Sequence, residues 1–158
     1  MIIYNVRING TVGTTTTALA TLIAGAIRSF LLLEVDLQGQ GNTSAANEVG
    51  VYRVGTAGVT GAGALTFTAV DQPNMTGTTP ALAFSGTGFG SYTTQPIAGA
   101  LIQNVGLNAN GQRYFWRANP NLNNAIPVQG GNNAAASIAL FSISGSSVFT
   151  GRLQLAEI

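Results

Sequence analysis

The chain has 158 residues, enough for one domain with a sizeable core, and 46% of them are hydrophobic, which argues against disorder. Only 7% are charged, against about 25% in an ordinary soluble domain: Arg7, Arg28, Arg53, Arg113, Arg117 and Arg152 stand against Glu34, Asp36, Glu48, Asp71 and Glu157, a net charge of +1. With no lysine, histidine or cysteine, the chain excludes a histidine general base, a thiolate nucleophile, the usual zinc sites, a disulfide framework and the basic stripe that nucleic-acid binding relies on.

Period-two alternation begins at the N-terminus. Ile2, Tyr4, Val6 and Ile8 share one face, Ile3, Asn5, Arg7 and Asn9 the other, and the turn dipeptide Asn9-Gly10 ends the strand. The most apolar stretch, residues 18–33, is interrupted by Arg28 and falls short of the roughly 20 residues a membrane span needs. It also lacks the charged start and cleavage site of a signal peptide, and reads as buried strand. Its best helical window, residues 16–26, holds Gly25 and the β-branched Thr21 and Ile23, so strand or irregular structure is expected there too.

Over residues 27–38, Leu31, Leu33, Val35 and Leu37 share a face opposite Leu32, Glu34 and Asp36. A polar loop over residues 39–47 leads to a strand over 48–54, where Val49 and Val51 oppose Tyr52 and Val54. Residues 64–70 alternate Leu65 and Phe67 with Thr66 and Thr68. Strands over 100–107 and 112–118 flank Asn108-Ala109-Asn110-Gly111, a hairpin signal. The short strand over 126–129 contains Pro127 and belongs at an edge. Residues 136–143 and 147–156 flank Ser144-Gly145-Ser146 and read as a closing hairpin, with Phe149, Leu153 and Leu155 alternating with Thr150, Arg152 and Gln154. Residues 71–79 and 85–95 are long polar loops. Eight or nine strands in this pattern predict an all-β fold. It is an antiparallel β-sandwich with jelly-roll or Greek-key connections over residues 18–158, preceded by an N-terminal strand or arm over residues 1–17.

Little in the sequence carries chemistry. Glu34 and Asp36 lie two apart on a strand, so both carboxylates project from one face. Such a pair suits calcium or the acid and base of glycoside hydrolysis, or else an arginine-paired outer face. Gly86-Thr87-Gly88-Phe89-Gly90 lacks the Lys-Ser/Thr ending of a phosphate loop and reads as a flexible turn, as do residues 58–63. Asn9, Asn42 and Asn74 match glycosylation acceptors, which an Asn- and Thr-rich chain produces by chance. Arg113-Tyr114-Phe115-Trp116-Arg117 holds the one tryptophan. On a strand Arg113, Phe115 and Arg117 share a face and Tyr114 and Trp116 the other. Three uses suit it: a stacking platform for a sugar, a protein interface, or plain filling of the core.

The poverty of charge points to contact with other proteins. A surface of Thr, Ser, Asn, Gln, Gly and Ala costs little to desolvate, so it can be covered over wide areas in an assembly. A homo-oligomer docked on a larger lattice would do this. The candidate interface is Ile2, Tyr4 and Val6, on an N-terminal strand free to add to a neighbour's sheet edge, together with Arg113, Phe115, Trp116 and Arg117.

The run Arg28-Ser-Phe-Leu-Leu-Leu-Glu-Val-Asp-Leu-Gln-Gly, followed by a polar loop and Glu48-Val-Gly-Val-Tyr-Arg-Val, resembles small jelly-roll decoration (cement) and minor head proteins of tailed bacteriophages. Ala98-Gly-Ala-Leu, Phe115-Trp116-Arg117, Ile126-Pro-Val-Gln-Gly-Gly and the final Ser-rich segment follow in similar order, by pattern more than by identities, over residues 18–158. The resemblance implies a non-enzymatic virion protein with no cofactor and no catalytic residues. It would sit on the capsid exterior as a homo-oligomer, a trimer favoured, with the major capsid protein as partner and neither nucleic acid nor membrane. The competing expectations are a carbohydrate-binding or host-adhesion module using Trp116 or Tyr92, and a glycosidase using Glu34 and Asp36.

Overall fold

Alternating apolar positions become strands throughout the computed structural model, which describes residues 2–12, 18–24, 29–54, 63–64, 67–70, 84–88, 98–128, 137–144 and 147–158. Twelve strands lie among the described residues: β1 (Ile2–Val12), β2 (Ala18–Ala24), β3 (Phe30–Gln40), β4 (Ala46–Val54), β5 (Gly63–Ala64), β6 (Phe67–Ala69), β7 (Phe84–Gly88), β8 (Ala98–Asn108), β9 (Asn110–Arg117), β10 (Ile126–Val128), β11 (Ile138–Ser144) and β12 (Ser147–Glu157). The first sheet runs β10-β3-β12-β1-β6, with β9 also on β3; the second runs β5-β7-β2-β11-β4-β8. Every pairing is antiparallel.

Eight long strands make the frame, in the orders β1-β12-β3-β9 and β2-β11-β4-β8. The successive pairs β1–β2, β3–β4, β8–β9 and β11–β12 each step from one sheet to the other. This is jelly-roll connectivity, so the expected all-β antiparallel sandwich is the fold. Its main core lies between the sheets: Tyr4, Val6 and Ile8 from β1, Phe30, Leu32, Val35 and Leu37 from β3, Val49 and Val51 from β4, Ile138 and Leu140 from β11, and Phe149, Leu153 and Leu155 from β12. On β4 the alternation holds as read, because Tyr52 and Val54 turn away into a second cluster where Tyr52 meets Phe141 edge to face at 5.6 Å. Pro127 lies on an edge strand as expected.

Several expectations need correction. Of the expected N-terminal strand or arm, residues 2–12 form the strand, which is built into the first sheet and is not free for a neighbour. β1 pairs with β12 from Ile2↔Glu157 to Val12↔Ser147 and with β6 through residues 4–6 on its other side. Tyr4 and Val6 are fully buried in the core, so neither can face a partner. The strand also continues through Asn9-Gly10, which pair with Thr150 and Phe149 rather than turning. Neither expected hairpin forms: β8 pairs with β4 and β9 with β3, while β11 joins the second sheet and β12 the first. A turn dipeptide specifies reversal but not which sheet the next strand joins.

The corner between β8 and β9 is built by the β3–β4 loop. Gly41 N donates to Ala109 O at 2.8 Å and Ala109 N to Ala45 O at 2.9 Å. A Cβ on Gly39 would collide with the Asn108 and Ala109 carbonyl oxygens, so only glycine admits this approach. In β3 itself the register against β12 slips by one residue, from Gln154↔Glu34 to Leu155↔Leu32. That bulge sends Leu31 and Leu33 to the opposite face from Val35 and Leu37, where they meet Ala118, Ala156 and Leu122. Gly86-Thr87-Gly88, expected as a turn, lies in β7 against β2. Residues 71–79, most of 85–95 and most of 58–63 lie outside the described residues.

Candidate interaction surface

With the main core on one side of the first sheet, alternation turns Arg113, Phe115 and Arg117 of β9, Glu34, Asp36 and Gln38 of β3, Thr150, Arg152 and Gln154 of β12, and Asn5 and Arg7 of β1 to the outer side. Strand register sets them in rows. Arg117, Glu34, Gln154 and Asn5 form one; Phe115, Asp36, Arg152 and Arg7 the next; Arg113, Gln38 and Thr150 a third.

Ion pairs knit the face together within and between rows. Arg113 grips Asp36 with two parallel bonds, Nε to Oδ1 at 2.7 Å and Nη2 to Oδ2 at 2.8 Å. Arg117 Nε donates to Glu34 Oε2 at 3.0 Å, and Arg152 Nη2 holds the other oxygen, Oε1. Glu34 is completely buried beneath its two arginines. Its burial is tolerable because both carboxylate oxygens are engaged by cations. Between the outer arginines Phe115 stands 48% exposed, with the guanidinium carbons of Arg113 and Arg117 at 5.5 and 5.9 Å from its ring centre. A shallow depression of about 520 Å³ opens beside them, lined by Asp36, Gln38, Arg113, Thr150, Gly151 and Arg152. The hydrogen bond from Arg113 holds the Asp36 carboxyl below its ordinary value, with burial opposing and the charges of Arg113 and Arg152 assisting. Asp36 in turn raises Arg113 through the same hydrogen bond.

The face carries an excess of positive charge. Arg7, Arg113, Arg117 and Arg152 stand over Glu34 and Asp36. Arg7 lies directly opposite Arg152 in the ladder, a like-charge pairing that costs stability in the isolated molecule. Arg152 Nε is buried with no hydrogen-bond partner. Among the described residues the charged side chains that are well exposed are Arg7, Arg113 and Arg117, all on this face.

Comparison with known proteins gives no match: no family model, no curated protein and no solved structure.

Of the residues singled out in the sequence, Arg113, Phe115 and Arg117 do come together, while Trp116 does not join them. It faces inward, half-buried against both the main core and the Leu33–Ala118–Ala156 cluster. Tyr114 shares that side, accepting a hydrogen bond from Gln103 Nε2, and burial raises its hydroxyl pKa. Ile2 pairs with Glu157 at the end of β1. Glu34 and Asp36 share a face as read, each bound by arginine. No three His, Cys, Asp or Glu side chains come together among the described residues. Arg53 bridges the two sheets through Pro127 O at 2.5 Å, and Glu48 accepts from Asn104 at 2.6 Å. Tyr92, Arg28 and Asp71 lie outside the described residues. Sequence reasoning missed Arg7 and Arg152 as members of the surface. Their alternation was readable, but only strand order places β1 and β12 beside β3.

Proposed function

We propose that this chain is a non-enzymatic structural protein of a virion, a jelly-roll decoration protein that cements an icosahedral phage head at junctions between shell subunits. One observation carries the reading: the well-exposed charges among the described residues are three arginines gathered on one sheet face around Phe115. An isolated soluble domain spreads charge of both signs over its surface. Here the exposed remainder is uncharged at Gln38, Gln40, Asn42, Asn104, Gln112 and Asn121, which is inexpensive to cover.

Docking then has two parts. The arginine face steers and orients the molecule on an acidic patch of the shell, where carboxylates take up the exposed Arg7. Phe115, pre-oriented between two guanidinium groups, supplies the apolar anchor. The uncharged polar surface around it adds buried area across the subunit junction, which resists separation of the subunits. The jelly-roll strand order and the resemblance in residues 18–158 support the phage setting.

The experiment is addition of purified chain to heads that lack it, followed by heating or osmotic shock. Rupture moves to higher temperature if the reading holds, and high salt weakens attachment. Heads equally stable with and without bound chain overturn it.

A further inference from the structure

β8 is the last strand of the second sheet and hydrogen-bonds to β4 on one side. Eleven residues long, Ala-Gly-Ala-Leu-Ile-Gln-Asn-Val-Gly-Leu-Asn, it carries no charge and no proline, two of the devices that ordinarily keep an edge strand from pairing with another chain. Its first half is blunted by two slips in the ladder, while residues 103–108 pair one for one with residues 51–46 and present a regular edge. Gly99, Ala100, Leu101, Ile102, Asn104 and Gly106 are all exposed, Leu101 by 48%, and among the described residues no strand but β4 pairs with β8.

We infer that β8 is the surface through which two copies of this chain join, edge to edge and antiparallel about a two-fold axis. The occupant follows from the other edges. Among the described residues β5 has two residues, β6 three, and β10 three including Pro127, while β9 displays Arg113 and Arg117. The edge of matching length without charge is β8 of a second copy. Antiparallel self-pairing sets no like charges against each other and closes on itself, whereas β8 against β9 of the next copy would be head to tail and open-ended. Leu101 and Ile102, just outside the regular stretch, then border the junction. This deepens the structural-protein reading, resting on its premise that the chain works in contact with others, and replaces the implied trimer with a two-fold pair as the unit in solution.

The test is light scattering of the full chain over a concentration series, beside Leu101→Lys/Asn104→Lys. The inference expects a mass of two copies and at least tenfold weaker association in the double variant, with an unchanged circular dichroism spectrum. Because the chain has no cysteine, single cysteines at Leu101, Asn104 and Gly106 provide a second readout: one or more gives a covalent dimer on oxidation. A monomer at every concentration, a trimer, or a dimer indifferent to the two lysines overturns the inference. Shell binding by such a chain would leave the decoration reading intact. A β8 dimer that binds no shell would do the reverse.

Discussion

β8 and β9 are separated by Ala109 alone, and each is an edge strand of its sheet, yet they are finished in opposite ways. β9 displays Arg113, Phe115 and Arg117 and ties itself to β3 through Asp36 and Glu34. β8 displays glycine, alanine, leucine, isoleucine and asparagine, and its charged contact is a hydrogen bond from Asn104 to Glu48 of β4. Charge on an edge blocks pairing with another strand and suits docking by ionic contact; its absence leaves main-chain groups to be satisfied by another strand. A molecule with so few ionic groups thus divides its edges into two kinds of surface.

The largest expected effect comes from stripping the β9 side of its ion pairs. Arg117→Leu with Arg152→Leu leaves Glu34 buried without a counter-charge and should cost about 3–5 kcal/mol, read as a lower urea midpoint. Either substitution alone should cost much less, because the other arginine still holds Glu34. Strictly additive losses would show that Glu34 is not their shared anchor.

Next is the corner that sends the two strands to different sheets. Gly39→Ala drives a methyl group into the backbone of Asn108 and Ala109, and a loss of about 1–3 kcal/mol is expected by chemical denaturation. Unchanged stability would mean the corner is not fixed by this approach.

The arrangement of this corner shows where the sequence stops being informative. Alternation around Val49, Val51 and Leu153 separated the two faces correctly, because a sheet face buried on a core imposes period two locally. Arg113, Phe115 and Arg117 were placed on one face for the same reason. The bulge at Leu33–Glu34 was invisible, since an apolar Leu is acceptable on either side once Ala118 and Leu122 cover it. The route of β1 into the middle of a sheet was invisible too, because its partners are more than sixty residues away in sequence. Arg7 and Arg152 are brought together by that route, so half of the arginine surface depended on strand order.

A smaller effect concerns pH. Asp36 has its folded pKa lowered, chiefly by the Arg113 hydrogen bond. Its pairing therefore stabilises fully above the unfolded value near 3.8 and is lost as pH falls through the lower folded value. Arg113 is largely solvent-exposed, so Asp36→Asn should cost at most about 1 kcal/mol at neutral pH and flatten the acid limb of the stability curve. An acid limb of unchanged slope would contradict the assignment. The smallest effect belongs to β8: Leu101→Lys should leave the stability of the separated molecule within about 0.5 kcal/mol while still weakening association. A larger loss in dilute solution would mean that Leu101 supports the fold.

The most direct measurement is a cryo-electron microscopy reconstruction of virions from the source of this chain. The account predicts the sandwich on the outer shell at subunit junctions, with the sheet that carries Arg113, Phe115 and Arg117 turned onto acidic shell residues. Virions without the sandwich, or one mounted with that sheet facing open solvent, would contradict it.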